Sequence, residues 1–588
     1  MPMRTRFPLT TARTALLSAT ILSLAACGPK APDADAPAFP SAWRLPADPA
    51  PITAQNGMVV STDEYASQVG VDVLRAGGNA IDAAIAVQFA LAVVNPEAGN
   101  IGGGGFMVLH TADGETAAVD FREKAPLAAT RDMYLDANGN VTDKSVVGHL
   151  AAGVPGTVSG MWEAHQRFGS MEWADLLSPA IELADGFQIR ERFLGSLGPT
   201  MVQALSAYPA SAAQFLPRDG QPPVVGDTLR QEDLAATLRR VQEEGPDGFY
   251  RGETADLIVA EMRRGDGLIS HEDLAQYQAA WRDPISFAYR GHTVISMPPS
   301  SSGGATMAEM ANILEQYDIG AMTWHSPEML HLYVEAWKRA FSDRNHYLAD
   351  PDFIDMPMAR MTSAEYGAER ASTIDPAAAT PSADIGPGME GPDEGENTTH
   401  FSIVDADGNA VSVTTTINSW YGSKVTVTGA GFVLNNEMDD FAAKPGTPNQ
   451  YGLVQGENNA VGPGKRMLSA MTPSIVLGPT GELRMVTGTP GGSTIITTVF
   501  QTISNVVDYG MNVVQAVNAP RVHHQHLPDQ IYFESGGLDL ATVEALEALG
   551  HRVVERGDVS GDVQAILMDG GVITAWSDPR RGGAAIGY

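Results

Sequence analysis

The threonine at position 398 combines two features that nucleophilic catalysis can use. It follows a segment rich in Pro, Gly and acidic residues and opens a predicted β-strand, and such a junction is accessible to cleavage. If the bond between Asn397 and Thr398 is cut, the new terminus carries a hydroxyl and a free α-amine on one residue. That amine, with an ordinary pKa of about 7.7 to 8, can take the hydroxyl proton at neutral pH. We therefore predict that Thr398 is a nucleophile released by cleavage.

The residues around Thr398 predict a β-hairpin that would hold it rigidly. Apolar and β-branched residues fill 398–404 and 410–416, and a Gly-containing turn at 405–409 separates them. Residues 375–397 contain acids, prolines and glycines but no basic residue, a composition that buries too little surface to order itself. Two alternatives stay open: Thr398 is an ordinary strand residue, or Asn397 is an N-glycosylation acceptor.

A glycine run and an arginine are further candidates for ligand binding. The glycines within 99–105 lie between a predicted helix and a predicted strand, and no Lys-Ser/Thr pair follows them, so they do not match a phosphate-binding loop. Arg122 comes directly after the next predicted strand, beside Glu123. This arginine is either one half of a surface ion pair or a bidentate clamp for a carboxylate.

Serine and histidine runs are weaker candidates. The serines at 300–302 precede a predicted helix but lack the Gly-x-Ser-x-Gly pattern of an activated serine, which favours a role as helix N-cap. Three histidines lie within 523–526, but adjacent side chains in an extended segment point apart, and no acidic or cysteine motif completes a ligand set. We predict no metal site and no cofactor.

The N-terminus has the pattern of an export signal. Arginines precede a short apolar run that ends in Leu24-Ala25-Ala26-Cys27, so residues 1–26 resemble a lipoprotein signal peptide and Cys27 a lipidated terminus. Residues 27–56 are predicted to form a Pro/Ala-rich tether. We expect an exported, periplasmic protein whose only membrane contact is the lipid on Cys27.

Composition excludes several functional classes. Cys27 is the only cysteine among 588 residues, so its use at the terminus excludes thiol catalysis, disulfides and Cys-ligated metals. The formal net charge of -33 argues against a nucleic-acid partner. The length and the apolar fraction of 44% predict one large domain or two interlocked ones with a buried core.

The order of predicted elements favours an α+β fold. Residues 61–64 have capping-box spacing before one helix, and Asn79 caps a second, apolar helix over 80–94. Helices are further predicted at 173–184, 231–242, 254–264 and 327–344, and short strands at 431–434, 474–477 and 484–487. Because these elements cluster without βαβ alternation, we predict helices packed over antiparallel sheets.

Several long motifs together resemble the γ-glutamyltransferase family, N-terminal-nucleophile hydrolases that split themselves into a large and a small subunit. The resemblance runs from about Gly57 to Tyr588 and rests on residues 77–84, the glycine run with 120–123, 398–404, 435–441 and 489–493. It implies a four-layer αββα sandwich with two antiparallel sheets between helical layers. It also implies that one precursor gives a heterodimer of residues 57–397 and 398–588, with 375–397 as the flexible linker to the cleavage site.

The resemblance implies catalytic roles for four residues. Thr398 would be the nucleophile, and the hydroxyl of Thr416 would support its amine. Gly491 and Gly492 would supply backbone N–H groups to the oxyanion, where a side chain would block close approach.

The resemblance also implies the contacts of a γ-glutamyl group. Its α-carboxylate would be held by Arg122 and Ser469. Its α-ammonium would be held by Asn418, Glu437 and Asp440. Charge complementarity agrees with these roles, because a zwitterionic head group needs a cationic group for its carboxylate and a cluster of acceptors for its ammonium.

Two further positions bear on the family resemblance, Tyr451 and Ala470. Tyr451, within 444–464, matches the lid loop of some members of the family. The family usually has two adjacent serines where this chain has Ser469 and Ala470, so one hydroxyl contact worth about 0.5–1.5 kcal/mol would be missing at the carboxylate. A lipid on Cys27 is a second departure, because a free periplasmic form is the more familiar arrangement.

The resemblance implies an enzyme that moves the γ-glutamyl group of glutathione or a related compound through a γ-glutamyl-Thr398 ester to water, an amino acid or a peptide. One alternative is an acylase for glutaryl or cephalosporin side chains, which lack an α-ammonium, and Glu437 and Asp440 argue against it. The other is an uncleaved, non-catalytic lipoprotein. The presence of Thr398, Gly491 and Gly492 argues against that interpretation.

Overall fold

Two seven-stranded sheets lie face to face between layers of helices in the computed structural model of the chain. The structure describes residues 37–386, 398–557 and 561–588. Neighbouring strands in both large sheets run antiparallel. The predicted α+β fold with four αββα layers is confirmed.

The strands, in chain order, are β1 (Ile52–Ala54), β2 (Met58–Ser61), β3 (Gly104–His110), β4 (Thr116–Asp120), β5 (Phe187–Gln188), β6 (Thr228–Leu229), β7 (Ala280–Arg282), β8 (Ile285–Tyr289), β9 (His292–Ser296), β10 (Thr399–Val404), β11 (Ala410–Thr416), β12 (Ser474–Leu477), β13 (Leu483–Gly488), β14 (Val522–His523), β15 (Ile531–Glu534), β16 (Val553–Arg556), β17 (Gln564–Asp569), β18 (Val572–Ser577) and β19 (Ala584–Gly587).

The α-helices are α1 (Glu64–Arg75), α2 (Ala80–Val94), α3 (Thr157–Phe168), α4 (Trp173–Asp185), α5 (Glu191–Gly195), α6 (Pro199–Ser206), α7 (Pro209–Phe215), α8 (Glu232–Glu244), α9 (Asp247–Tyr250), α10 (Gly252–Arg264), α11 (His271–Gln276), α12 (Gly303–Leu314), α13 (Pro327–Tyr347), α14 (Met358–Met361), α15 (Ala364–Ala371), α16 (Thr494–Val507), α17 (Val513–Asn518) and α18 (Leu540–Ala548).

The hairpin that begins at Thr398 occupies the centre of one sheet. The strand order of this sheet is β19-β2-β10-β11-β3-β4-β7, and that of the other is β1-β18-β17-β13-β12-β9-β8. Hydroxyls on the inner face join the two sheets, because Ser402 donates to the carbonyl of Gln564 at 2.9 Å and Ser412 donates to the carbonyl of Thr487 at 3.1 Å. The predicted hairpin is confirmed, and both of its strands are buried along their whole length.

Helix α2 is buried along its whole length because its sequence is almost entirely apolar. The predicted Asn79 cap is confirmed: its side chain accepts from the N–H groups of Ile81 and Asp82 at 2.9 Å. The predicted cap of α1 is wrong by two residues. Its N-cap is Asp63, which accepts from the Tyr65 N–H at 2.8 Å, because the chain up to Ser61 already belongs to β2.

The strand predicted at 431–434 is wrong. Within this segment Val433 forms only an isolated bridge with Thr426. Gly429 and Gly431 have φ angles of 80° and 75°, a left-handed conformation that interrupts an extended strand.

The predicted tether and linker both extend less far than expected. Within 27–56, the indole N–H of Trp43 donates to the carbonyl of Asn518 at 2.8 Å, and β1 pairs with β18, so residues 37–56 pack on the domain. Within 375–397, the Thr380 N–H donates to Glu335 at 3.1 Å, and the short segment around buried Ser382 packs on the domain as well. The composition of each segment predicted that it would not pack on the domain. In the structure, a few side-chain hydrogen bonds and one strand pairing hold residues 37–56 and the segment around Ser382 against it.

Residues 37–588 group into one compact unit. Three predictions concern residues outside the described ranges: the signal peptide 1–26, the lipid on Cys27 and the scissile residue Asn397. Among the described residues, none of the helices is both long and apolar enough to span a bilayer.

Candidate active site

Thr398 lies directly before β10 and is 7% exposed. Because β10 pairs with β11 along its whole length, the start of one strand meets the end of the other at Thr416. The hydroxyl oxygens of Thr398 and Thr416 are 3.4 Å apart. The Thr416 hydroxyl also accepts from the Asn418 N–H at 2.8 Å, which fixes the hydroxyl in place.

The glycine run lets the backbone pack closely behind these hydroxyls. Thr416 pairs with Gly104 on β3. A Cβ atom on Gly103 would lie 2.1 Å from the carbonyl oxygen of Thr416, a distance that no side chain tolerates. The run therefore positions the end of β11.

Arg122 is buried and contacts two acidic residues of the 3-10 helix Glu437–Asp440. Its Nη1 lies 2.7 Å from a carboxylate oxygen of Glu437, and its Nη2 pairs with Asp440. Its Nε donates to the carbonyl of Met467 at 3.2 Å. Burial rules out the surface ion pair that the sequence left open for Arg122, and leaves a guanidinium held in a fixed orientation.

The electrostatics of this cluster combine burial with charge pairing. Burial alone would lower the pKa of Arg122, but the carboxylates of Glu437 and Asp440 raise it above its ordinary value, so the guanidinium is charged. Burial raises the pKa of Glu437 well above its ordinary range, although Arg122 opposes that shift. Burial also raises the pKa of Glu123 to about 8, and neither of its carboxyl oxygens has a hydrogen-bond partner among the described residues.

Asn418 and Tyr451 form the opposite wall. Asn418 has a φ angle of 70°, and its amide nitrogen donates to the carbonyl of Asn436 at 2.9 Å. The Tyr451 hydroxyl donates to the side-chain oxygen of Asn418. Tyr451 is 4% exposed and belongs to the segment 444–464, which the resemblance predicts as a lid.

The serine run fixes the backbone at Ser469. The N–H and the hydroxyl of Ser302 both donate to the Ser469 carbonyl, at 2.7 and 2.6 Å, and the Ser469 N–H donates to the carbonyl of Ser300 at 2.9 Å. Ser302 does occupy the N-cap position of α12, but its side chain makes no capping bond, so the predicted capping role is wrong for the hydroxyl. The Ser469 hydroxyl accepts from the Met471 N–H at 3.2 Å.

Arg344 is a site residue that the sequence analysis missed. It is fully buried near the end of α13, and its Nε donates to the Ser302 hydroxyl at 3.0 Å. The sequence offered one signal, which is a charged residue at the end of a helix whose other face is apolar. Arginine is rarely fully buried unless it has partners, so a buried Arg344 implies polar groups around it.

Gly491 and Gly492 form the turn before α16, with φ angles of 140° and 56°. The Gly491 carbonyl accepts from the Thr494 N–H at 3.1 Å, which starts the helix. Amide groups at a helix N-terminus favour negative charge. Gly492 lines the same cavity as Thr398, whereas Gly491 is not among its lining residues.

One small cavity unites these groups. Its volume is about 20 Å³, enough for one or two waters at about 10–15 Å³ each on this measure. Its lining includes every predicted substrate-binding residue, with Thr398, Thr416 and Gly492 of the predicted catalytic set: Arg122, Arg344, Thr398, Thr416, Asn418, Glu437, Asp440, Tyr451, Leu453, Leu468, Ser469, Ala470, Met471, Gly492 and Ile495.

The histidine run is part of the core. His523 is fully buried, and its two ring nitrogens lie 2.8 Å from the Thr497 hydroxyl and 2.9 Å from the Gln525 side chain. Elsewhere in the described ranges, His331, Glu335 and His551 bring possible ligand atoms within 4.8 Å of one another. The ring nitrogens of His331 and His551 are 2.8 Å apart and in contact with each other, so this group is explained by its own hydrogen bonds.

Two stacked antiparallel sheets between helical layers, with a threonine at the head of a central strand, define the fold of the N-terminal-nucleophile hydrolases. A family model described as Gamma-glutamyltranspeptidase matches residues 66–588. The chain therefore belongs to the γ-glutamyltranspeptidase family.

Individual relatives and solved structures are also similar to this chain. The glutathione hydrolase proenzyme of Pseudomonas sp. (strain A14) is 48% identical over 555 residues, which cover 92% of this chain and 96% of that protein. That of Escherichia coli (strain K12) is 48% identical over 534 residues, or 90% and 91% of the two chains. The crystal structure of cephalosporin acylase from Bacillus halodurans has a TM-score of 0.80 at 28% identity, and covers 93% of this chain and 99% of its own.

Proposed function

We propose that this protein is an autoprocessing γ-glutamyl hydrolase and transpeptidase. Its donors would be glutathione or related γ-glutamyl compounds, and its acceptors water, amino acids or short peptides. One observation carries the proposal: a threonine hydroxyl pair and a buried Arg122–Glu437–Asp440 charge cluster line one cavity. Relatives named glutathione hydrolase proenzyme, at 48% identity, support it.

The charge cluster suits an α-amino-acid head group. Arg122 presents two N–H directions that match a carboxylate, and Ser469 lies on the same wall. Glu437, Asp440 and Asn418 offer oxygens for the α-ammonium. The donor carboxylate would replace a carboxylate that is now paired with Arg122, and the donor ammonium would pair with the carboxylate so released. Binding would therefore leave no buried charge unpaired.

Thr398 would act twice through the same chemistry. In maturation, its Oγ1 attacks the carbonyl carbon of residue 397; the amide C–N bond breaks, the nitrogen takes a proton, and water then cleaves the ester. In turnover, the freed α-amine accepts the Oγ1 proton as the hydroxyl attacks the γ-carbonyl of the donor. The donor amine leaves with a proton, and water or an acceptor amine cleaves the γ-glutamyl ester.

The surrounding residues would assist these steps. The Thr416 hydroxyl, 3.4 Å from that of Thr398, would orient the nucleophile and its amine. The turn at Gly491 and Gly492 would direct amide N–H groups and the start of α16 at the oxyanion. Tyr451, whose hydroxyl bonds to Asn418 at the cavity wall, would move aside to admit the donor.

The proposed function includes a maturation step and a location outside the cytoplasm. The large and small subunits would be residues 57–397 and 398–588 of one precursor, paired as a heterodimer. The N-terminal pattern supports export to the periplasm, with a lipid on Cys27 as the only membrane anchor.

Donor choice tests the proposed function against the acylase alternative. We expect the purified protein to hydrolyse γ-glutamyl-4-nitroanilide at least about tenfold faster, in kcat/KM, than glutaryl-4-nitroanilide, because only the first carries the ammonium that Glu437 and Asp440 would bind. Absorbance of released nitroaniline measures both rates. Preference for the glutaryl compound would favour an acylase, and would assign the cluster another role.

The substitution Ala470→Ser tests the departure from the usual serine pair. Ala470 is 7% exposed and lines the cavity beside Ser469. One added hydroxyl bond of about 0.5–1.5 kcal/mol predicts a KM for the γ-glutamyl donor about 2- to 10-fold lower. Steady-state kinetics check this value, with the exposed Ala378→Ser as control. An unchanged or higher KM would mean that this wall does not contact the carboxylate.

A further inference from the structure

Two buried carboxyl groups lie together in the helical layer behind the donor cavity. Glu309, on α12, and Asp343, on α13, are both fully buried. If both groups were carboxylates, neither oxygen of Glu309 and not the Oδ1 of Asp343 would have a hydrogen-bond donor among the described residues. A buried carboxylate without donors is costly, so the pair calls for a donor of its own.

One cation serves both carboxyl groups. The Nε of Arg370, on α15, lies 3.2 Å from an oxygen of Asp343 and 3.6 Å from an oxygen of Glu309. Its other nitrogens bind backbone carbonyls, because Nη1 donates to Gly386 at 3.3 Å and Nη2 donates to Arg339 at 2.9 Å. Two carboxylates opposite one guanidinium would leave a negative charge buried without a partner.

The remaining neighbours of the pair add no second cation. Tyr366, also on α15, donates its hydroxyl to Oδ2 of Asp343 at 2.7 Å. Helix α16, which packs on α12 as well, contains no titratable residue. Arg360 of α14 pairs instead with Glu369 at the surface. Oδ2 of Asp343 is therefore satisfied, and the three oxygens without donors belong to two facing acids.

A single proton completes this cluster. A carboxyl group that keeps its proton is a donor as well as an acceptor, so one proton between Glu309 and Asp343 supplies the missing donor. It also leaves one negative charge opposite the one charge of Arg370. In agreement with this arrangement, burial and then the negative charge of Asp343 raise the pKa of Glu309 well above its ordinary value.

The two helices that carry the pair also carry residues of the donor cavity. Ser302 is the N-cap of α12, and its N–H and hydroxyl hold the carbonyl of Ser469 at 2.7 and 2.6 Å. Arg344 follows Asp343 on α13, and its Nε donates to the Ser302 hydroxyl at 3.0 Å. Both Ser469 and Arg344 line the cavity. Glu309 lies about two helical turns beyond Ser302, so the acid pair is a second contact between the same two helices.

We propose that Glu309 is a positioning residue for donor binding: it shares one proton with Asp343, and the pair fixes α12 against α13 so that Ser302 and Arg344 hold the Ser469 wall of the cavity. The inference rests on the proposed γ-glutamyl transfer, and adds a residue that lies outside the donor cavity. Its effect is on binding, because a displacement of about 1 Å in a wall that orients the substrate is enough to weaken the complex.

Donor kinetics of the cleaved, full-length enzyme test the positioning role. We expect Glu309→Ala to raise the KM for γ-glutamyl-4-nitroanilide at least about fivefold, with kcat within about twofold of the wild type, because the wall shifts while Thr398 stays in its sheet. Glu309→Gln keeps the shape of the side chain and can donate to Asp343, so its KM should stay within about twofold of the wild type. A loss of stability alone would lower the amount of active enzyme, and thus kcat, but not raise KM.

The matched control uses a glutamate from the same cluster of helices. Glu365 is exposed on α15, the helix that supplies Tyr366 and Arg370. Glu365→Ala removes the same side chain as Glu309→Ala and should leave both KM and kcat unchanged.

Infrared difference spectra test the shared proton without using activity. The carbonyl stretch of a protonated carboxyl group is separate from the stretches of a carboxylate. The spectrum of the wild type minus that of Glu309→Gln at neutral pH should contain this carbonyl band. The spectrum of the wild type minus that of Glu365→Gln should lack it.

Three results would count against the inference. A KM within about twofold of the wild type in cleaved Glu309→Ala would overturn the positioning role and leave the proposed hydrolase intact. If Glu309→Ala is not cleaved, Glu309→Asp, whose carboxyl group is one methylene shorter, takes its place with the same expected rise in KM. Absence of the carbonyl band would overturn the shared proton. If the wild type releases no nitroaniline, the proposed function fails and the positioning role with it, whereas the infrared band still reports the proton.

Discussion

Replacing Thr398 by alanine is expected to leave the purified chain uncut and without γ-glutamyl hydrolase activity. The substitution removes the hydroxyl that lies 3.4 Å from that of Thr416, while the β10–β11 pairing stays in place. Thr398 lines the cavity described above and a second one of about 210 Å³, whose lining includes Arg192 and Asp562. The wild type should give two bands on a denaturing gel, with a smaller fragment that begins at Thr398. Activity should fall by roughly 10⁴-fold or more, because one group is proposed to serve both maturation and turnover.

The next residue supplies a matched control for this prediction. Thr399 carries the same side chain, but its hydroxyl contacts that of Thr62 at 2.8 Å and lies outside both cavities. Thr399→Ala should therefore be cleaved and active. Thr398→Ser keeps a hydroxyl and should be cleaved, more slowly than the wild type. Normal cleavage of Thr398→Ala would exclude Thr398 as the nucleophile, and a wild type that stays a single chain would favour a non-catalytic protein.

Replacing Arg122 by glutamine is expected to have the second-largest effect. The change removes the charge that Glu437 and Asp440 share, and with it the proposed clamp for the donor carboxylate. Loss of one partner of a buried ion pair costs about 3–5 kcal/mol. At about 1.4 kcal/mol per tenfold, this predicts a fall in kcat/KM for γ-glutamyl-4-nitroanilide of roughly 100- to 4,000-fold.

Arg122→Lys separates charge from geometry. Lysine keeps the positive charge but cannot contact Glu437, Asp440 and the Met467 carbonyl at once, so we expect an intermediate loss of about 10- to 100-fold. Arg360→Gln, which changes an exposed pair with Glu369, should have no effect. Cleavage into two fragments reports that each variant folds. A kcat/KM within twofold of the wild type in cleaved Arg122→Gln would show that Arg122 does not bind the donor.

The sequence determined the features that depend on neighbouring residues. The hairpin headed by Thr398, the cap at Asn79 and the buried helix after it follow from turn residues, capping chemistry and apolar periodicity within a few positions. The motifs also identified the family, since each of them is a continuous segment. Errors arose where local composition was ambiguous, as at 431–434, where glycines with positive φ interrupt a segment of strand-forming residues.

Tertiary structure alone decided which distant residues meet. Arg122 and Asp440 are 318 positions apart, and Ser302 and Ser469 are 167 apart, so neither contact leaves a periodic signal in the chain. For the same reason the sequence missed Arg344 on α13, and gave no hint that Asp562 and Arg192 share a cavity with Thr398. The sequence predicted the position of a nucleophile, but the packing of the two sheets placed Thr398 between two cavities, one of which is lined by Arg122, Glu437 and Asp440. That arrangement exists only after residues from distant parts of the chain are buried together. Burial in turn gives their charges and unpaired hydrogen-bonding groups a large effect on binding.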